Sequence, residues 1–382
     1  MNQISIEIER HLNLRLGENS KKVNYSLSIS DMKDCLHSCI NIIRPTDFCI
    51  HSVRGDYNNF YYEANQNMFK TDVLSGLERR VVPFANYLLR VGGKKQVLVN
   101  MNDAEGYDYN SLLPADLNYQ TIIQFSRRIQ QRDSVTLFPL TKNFMGLGSP
   151  NIPNGEDIIP FKSKIPTIVW RGGPSGCYIG DDNRKMSARN LAFHPNPEDE
   201  FHKFQRLNLI PKLAKYQDID IGFVETANRN YSNLNALLKD RFPFVFKGSM
   251  NIDQQRKYKY ILAIDGNDYP SNLFWALMSN SVVFKTTSEW ETALSVGLEP
   301  WKHYVPVDPE AESVLSMINY MNEREAECDY IIKNAHEYMR FCMNEKFRKF
   351  LDKLTIDKYM EYLVDISGVT DDVCFFSSNG LM

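Results

Sequence analysis

From Ile165 onward, short β-branched runs alternate with longer stretches of helical periodicity, and this alternation narrows the fold more than any other feature of the chain. A helix placed between successive strands carries the chain back across a sheet, so the strands it joins run parallel. Strands are expected at residues 167–170, 219–224, 244–246, 260–264 and 281–284, with helices at 207–215 and 271–278 between them. Residues 312–366 read as mostly helical, with Val314, Leu315, Ile318, Met321, Ile331, Ile332 and Met339 as apolar positions.

The first 160 residues have a mixed texture. Residues 77–89 are weakly helical, and Pro83 is expected to break or restart that helix. Residues 95–100 read as a buried strand ending in the polar run Asn100-Met101-Asn102-Asp103, and residues 119–131 read as a helix. Gly, Pro and Asn crowd residues 146–155, which marks a loop or linker. The Gly-, Ser- and Asn-containing tail, 367–382, is expected to hold little order. At 382 residues the chain has length for two domains.

Composition excludes several function classes. Apolar residues at 43% and charged residues at 24% fit a folded globular chain, not a disordered or collagen-like one. With 44 basic against 47 acidic side chains, no global basic footprint for nucleic acid exists. No stretch reaches 18 consecutive apolar residues, and the N-terminus lacks the basic-then-apolar pattern of a signal peptide. The seven cysteines, an odd and scattered set, read as reduced thiols of a cytoplasmic protein. Cys35 and Cys39 could share a helix face but have no second ligand pair at metal spacing.

In open α/β sheets, ligands bind beyond the carboxyl ends of the strands. Residues 167–170 run into Arg171-Gly172-Gly173-Pro174, residues 260–264 into Asp265-Gly266-Asn267-Asp268, and residues 281–284 into Lys285-Thr286-Thr287-Ser288-Glu289. Glycines permit close approach of a backbone to a ligand, and Arg171 and Lys285 can neutralise phosphate. Ser271 is a natural N-cap for the apolar run Leu273-Phe274-Trp275-Ala276-Leu277-Met278, whose free N–H groups would form an anion site worth about 0.3–1 kcal/mol. A plain turn and cap is the competing reading. No Walker A sequence and no complete G-x-G-x-x-G is present.

These residues carry a family likeness. The segment Lys257-Tyr258-Lys259-Tyr260-Ile261-Leu262-Ala263-Ile264-Asp265-Gly266-Asn267-Asp268 resembles the donor-domain motif of glycosyltransferase family 90, which includes fungal capsule-associated proteins, protein O-glucosyltransferases and bacterial LpsA-like lipopolysaccharide glycosyltransferases. The likeness continues through Ser271-Asn272-Leu273, Ser279-Asn280-Ser281-Val282-Val283-Phe284-Lys285, Glu289-Trp290 and the run from Leu298 to Val307. Upstream, Trp170-Arg171-Gly172 resembles the family's aromatic-Arg-Gly motif.

The resemblance implies an α/β, GT-B-like fold of two facing Rossmann-like domains with a helical C-terminal segment. It implies an acceptor-side domain over 1–160, a nucleotide-sugar domain over 161–345, and a C-terminal helix and tail over 346–382. It implies a UDP-sugar donor substrate, inversion at the anomeric carbon, and no cofactor or metal; Asp218-Ile219-Asp220 has metal-motif spacing but enters a strand. It also implies a glycan or glycolipid acceptor, such as a lipopolysaccharide core or another surface polysaccharide. The enzyme would then be cytoplasmic, with peripheral contact at the inner membrane, where Lys346-Phe347-Arg348-Lys349-Phe350 could serve. No nucleic-acid partner is expected.

Carried over residue by residue, Arg171 is the expected diphosphate ligand, and Gly172, Asp265, Gly266, Asn267, Ser271, Asn272, Lys285 and Glu289 complete the expected donor site. Asp265 would orient backbone or sugar hydroxyls, with a plain turn residue as the equal alternative, and Glu289 would hold ribose or sugar hydroxyls. The expected base is Asp103, with Glu105 and Asp108 close enough to compete. Two departures stand out. Pro174 falls near the place of a second family Arg, and Asn272 replaces another. Both fit a bacterial-type member, with Arg184, Arg189 or Lys285 as substitute phosphate ligands, and both also fit a non-catalytic nucleotide- or carbohydrate-binding relative.

Overall fold

In a computed structural model of the chain, the described residues are 3–17, 40–44, 49–53, 60–63, 78–91, 97–101, 122–132, 135–139, 155–179, 185–225 and 229–362. The chain divides into two compact units. One comprises Met1–Asn102, Asp108–Thr141 and Lys349–Met382, the other Asp103–Tyr107 and Lys142–Arg348.

The first unit holds β1 (Ile40–Arg44), β2 (Cys49–Val53), β3 (Phe60–Glu63), β4 (Val97–Asn100), β5 (Ile122–Gln124), β6 (Ser126–Arg128) and β7 (Val135–Leu137). Six of these form a mixed sheet in the order β3-β2-β1-β4-β5-β7. The pairs among β1 to β3 and between β1 and β4 are antiparallel, whereas β4, β5 and β7 run parallel. Val97, Val99, Ile122, Ile123, Val135 and Leu137 are all buried.

Two sequence expectations fail in this unit. Of the helix expected at 119–131, residues 119–121 lie outside the described residues and the rest is not an α-helix: Ile122–Gln124 and Ser126–Arg128 are strands, followed by a short 3₁₀ turn. The β-branched pair Ile122-Ile123 is buried between β4 and β7, and tertiary burial overrides the local periodicity. Conversely, the helix Glu78–Arg90 runs straight through Pro83. Its buried stripe of Val81, Phe84, Ala85 and Leu88 outweighs one lost hydrogen bond.

The second unit has β8 (Ile165–Gly172), the hairpin of β9 (Cys177–Ile179) and β10 (Lys185–Ser187), β11 (Asp220–Phe223), β12 (Tyr258–Ala263), β13 (Val282–Thr286), β14 (Trp290–Thr292) and β15 (Val305–Val307). Five of these form a wholly parallel sheet in the order β11-β8-β12-β13-β15. The chain therefore starts in the middle, steps outward to β11, then reverses to β12, so the order switches between β8 and β12. Apolar side chains from one face of the sheet, including Ile168, Trp170, Ile221, Tyr260, Leu262, Val282 and Phe284, enter one core with the flanking helices, and Val169, Ile261, Ala263 and Val283 are buried at the alternate positions. At the outer edge, Pro306 occupies the middle of β15.

The parallel sheet matches expectation except at β15, which was not among the expected strands, and at residues 244–246. There Pro243 opens a 3₁₀ turn, Pro243–Val245, and only a single bridge from Phe246 to Phe223 extends the sheet. The helical stretch expected at 312–366 resolves into Ala311–Asn322, Glu325–Met343 and Glu345–Tyr362. The tail 367–382 lies outside the described residues.

A buried ion pair pins the entry to this unit. Lys164 Nζ lies 2.7 Å from Asp157 Oδ2, and both side chains are almost wholly removed from solvent. The same carboxylate accepts the backbone N–H groups of Asn280 (2.8 Å) and Ile159 (3.1 Å), and Asn280 Nδ2 donates to the carbonyls of Asp157 and Ile159. Replacing Asp157 by Ala leaves a buried ammonium with no counter-charge and only the Arg256 carbonyl as acceptor, and takes the acceptor from the backbone N–H groups of Asn280 and Ile159. Asp157→Ala is expected to lower unfolding free energy by about 3–5 kcal/mol, read as a drop in the urea midpoint.

Candidate functional site at the switch point

The carboxyl ends of β8 and β12 are neighbours, and one side chain ties their loops together. Arg206, in the first turn of the helix Gln205–Leu213, donates from Nη1 to the Gly173 carbonyl (3.1 Å) and to Ser175 Oγ (2.7 Å) beyond β8. Its Nη2 donates to the Ile264 carbonyl beyond β12 (3.2 Å). The guanidinium lies over the Trp170 indole, 5.4 Å from the ring centre. Nε makes no hydrogen bond. The helix is oriented by its buried residues Leu207, Leu209, Ile210 and Leu213, which dock it on the sheet and aim Arg206 at the strand ends.

Glycine leaves room where this arginine packs, and a larger residue would displace the guanidinium. A Cβ on Gly266 would come within 2.8 Å of Arg206 Nη2 and 3.0 Å of Ser175 Oγ. At Gly172 a Cβ would strike the Trp170 ring at 2.5 Å. The loop after β12 is held by a Gly266 N–H to Asp268 carbonyl bond (3.0 Å) and by Cys177 Sγ donating to the Asn267 carbonyl (2.9 Å).

Asp265 sits beneath this loop, only 6% exposed. Burial pushes its carboxyl up to about 6; Lys285, a bond from Ser288 and Arg206 pull it back, and Glu289 adds to the push. Its Oδ1 has no hydrogen-bond partner, nor does Asn267 Oδ1. Burial lowers Arg206 to about 10, opposed by Asp265, Tyr231 and Asp268, so it remains a cation at neutral pH. Burial also lowers Lys285, opposed by Asp265 and Glu291. The Lys285 ammonium lies 5.5 Å from the Tyr304 ring centre. Two cations and one buried carboxylate thus share the carboxyl edge of β12 and β13.

The structure brings Arg206, Lys285 and Glu289 within electrostatic reach of Asp265, with Gly266 against Arg206, Asn267 next in the same loop and Gly172 at the end of β8. Arg171 points elsewhere. Its Nη2 pairs with Asp220 Oδ1 (2.6 Å), Nη1 donates to the Asp220 and Trp170 carbonyls, and Nε donates to the Gly248 carbonyl. Asp220 also accepts from Lys247 (3.1 Å) and Tyr258 (2.5 Å). Burial would raise that carboxyl, but the bonds from Tyr258, Arg171 and Lys247 outweigh it and hold Asp220 below the usual range. Asp220 therefore organises the β8–β11–β12 side of the sheet, which agrees with reading Asp218-Ile219-Asp220 as structural.

Ser271 is exposed, and the cap position falls to Asn272, whose side chain makes no capping bond and instead donates from Nδ2 to the Leu262 carbonyl (2.8 Å). The helix that follows is five residues, Leu273–Leu277. It is too short for the expected N-terminal anion site, since the axial dipole grows with aligned peptide units. Arg189 is exposed on a 3₁₀ helix, Ala188–Phe193. Arg184, Asp103, Glu105 and Asp108 lie outside the described residues. His303 packs on Tyr338 and accepts the Glu299 N–H at Nδ1. Among the described residues, no group of three or more His, Cys, Asp or Glu could hold a metal.

Sequence reasoning missed Arg206. The signal was present: an Arg set between Phe204 and Leu207 on an otherwise core-facing helix start has few reasons to be there except to reach a strand end.

Comparison with known proteins bears on this edge. Residues 215–365 match the family model described as Glycosyl transferase family 90. The resemblance drawn from the motifs after β12 and β13 thus holds over a region that contains Asp265, Lys285 and Glu289. Uncharacterized protein 179R of Invertebrate iridescent virus 6 is 24% identical over 218 residues, 54% of this chain and 17% of that protein. The O-glucosyltransferase LpsA of Dichelobacter nodosus is 22% identical over 210 residues, 54% of this chain and 53% of that protein. Protein O-glucosyltransferase 3 of Homo sapiens is 31% identical over 79 residues, 21% of this chain and 16% of that protein. The chain thus spans between about a sixth and about half of the length of these relatives. Among solved structures, a glycosyltransferase from Rickettsia africae superposes with a TM-score of 0.36 at 12% identity, covering 63% of each chain. Anabaena Alr3699/HepE in complex with UDP gives 0.30 at 12% identity, over 53% of this chain and 50% of that one. Scores this low carry neither fold detail nor ligand to this protein.

Asp265 yields a test of the site's electrostatics. A carboxyl with its folded pKa raised above the unfolded value adds stability below pH 4 that is lost as pH rises through 6. Asp265→Asn is therefore expected to stabilise the unliganded protein at pH 7 by roughly 1–3 kcal/mol. The gain should shrink as pH falls toward 4, when thermal unfolding of both proteins is followed from pH 4 to 8.

Proposed function

We propose that the protein is an inverting glycosyltransferase that moves a sugar from a UDP-sugar to a glycan acceptor, with the donor diphosphate at the switch point between β8 and β12. The observation that carries this reading is Arg206, a cation anchored on both switch-point loops, with Lys285 on the adjoining strand end. Ligands of open parallel sheets bind at such a point, and charge that develops on a leaving diphosphate needs fixed cations there.

In this reading Arg206 and Lys285 take the part first given to Arg171, whose donors serve Asp220. They also answer the departures at Pro174 and Asn272, since positive charge reaches the same edge from the Gln205–Leu213 helix and from β13. Asp103, three residues past the end of β4, accepts the acceptor hydroxyl's proton as its oxygen attacks the anomeric carbon. The bond from that carbon to the diphosphate oxygen breaks, and UDP departs against Arg206 and Lys285. Charge neutralisation by side chains leaves no step that requires a metal. The GT-B-like architecture implied by the family resemblance belongs to the same reading. The acceptor is a glycan or glycolipid, such as a lipopolysaccharide core or other surface polysaccharide, reached from the cytoplasmic side by peripheral membrane contact.

A thermal-shift panel of UDP, GDP, CDP, ADP and several UDP-sugars, each with and without EDTA, tests this directly. Binding at 100 times Kd stabilises by about 2.7 kcal/mol, so selective, EDTA-insensitive shifts with uridine nucleotides are expected. Arg206→Ala should abolish them. Asp103→Asn should keep the shift but lose about 10²–10⁴ in turnover. Uridine binding by the wild type without turnover of any UDP-sugar would make the chain a non-catalytic binding protein, and no uridine-specific shift would refute the donor site.

A further inference from the structure

We propose that Asp265 is the resident counter-ion of Arg206 and Lys285, and that it takes up a proton when a diphosphate-containing donor binds them. This rests on the donor-site reading above and adds a proton to its binding equilibrium.

Three observations carry it. Asp265 is buried, with Arg206 facing it from the Gln205–Leu213 helix and Lys285 from β13. From the segment after β13, Ser288 supplies a hydrogen bond and Glu289 a like charge, while Asp268 of its own loop acts on Arg206. The carboxylate is incompletely satisfied, since Oδ1 has no partner. In the donor-site reading, the two cations that compensate it are also those that receive the donor's phosphates.

An anion that engages Arg206 and Lys285 withdraws their charge from Asp265. The carboxylate is then left in a poorly hydrated place, close to Glu289 and to the incoming phosphates. A buried carboxylate that loses its compensating cations relieves the penalty by protonation. Its free carboxyl already lies nearer neutrality than an exposed one, so the proton comes from solvent near pH 7. The neutral acid can then act as a hydrogen-bond donor, whereas the carboxylate can only accept.

The test is calorimetric titration of the full chain with UDP-glucose, or with UDP-galactose or UDP-xylose if either binds more tightly. These diphosphate diesters do not titrate near neutrality, so proton uptake reports the protein. Measured at pH 7.5 in buffers of differing ionisation enthalpy, wild-type binding should consume a substantial fraction of one proton. Its affinity should rise as pH falls from 8 to 6, by up to about ten-fold per unit. Asp265→Asn should bind at least as tightly at pH 7.5, consume no proton and show a flat pH profile. Lys285→Arg, which keeps the charge but does not titrate here, should retain the uptake. Zero uptake by the wild type, or uptake unchanged in Asp265→Asn, overturns the proposal while leaving the donor site standing. Uptake lost in Lys285→Arg but kept in Asp265→Asn assigns the proton to Lys285 and equally overturns it. No wild-type binding of any of the three donors overturns the donor reading and this inference with it.

Discussion

Arg206 is the interaction on which the candidate site depends. A parallel sheet cannot close its own carboxyl edge, because each strand leaves through a loop that must be held by something else. Here a guanidinium from the intervening helix reaches the loops after β8 and β12 and joins them through the Gly173 and Ile264 carbonyls and Ser175. The planar fork suits this task, because its donors are fixed relative to one another and meet carbonyls at separate places without further ordering. Trp170 below it and the absence of a side chain at Gly266 above it define the slot. The same group that assembles the edge also gives it charge, so scaffold and recognition share one residue.

Much of the second unit was legible because its signals are local. Four of the five expected strands of the parallel sheet form, and the helix expected at 207–215 forms as Gln205–Leu213. The strand expected at 244–246 failed at a proline, which a stricter reading of Pro243 anticipates. The first unit was less readable, because Ile122 and Ile123 owe their extended state to β4 and β7 rather than to their neighbours in sequence.

The site divides along the same line. Asp265, Gly266, Asn267, Lys285 and Glu289 were visible because strand ends can be read from sequence. Arg171 shows what cannot. Its position after β8 is as expected, but the direction of its side chain is set by Asp220 on a strand some 50 residues later, and no motif encodes that pairing. Arg206 escaped for the mirror reason: it lies on a helix, outside any strand-end motif, and becomes meaningful only once the sheet order is known.

The outer strand of the parallel sheet has a consequence of another kind. The Val307 carbonyl accepts the Thr287 N–H, so this residue's backbone turns inward, and alternation along a strand turns Pro306 outward. Pro306 has no N–H to offer. The three-residue β15 therefore presents no outward donor with which a stray strand could pair, and the sheet cannot readily be lengthened at that side. A row of exposed donors there would template fibril-like growth whenever a neighbouring chain came near. One imino acid in a three-residue strand thus works against self-assembly.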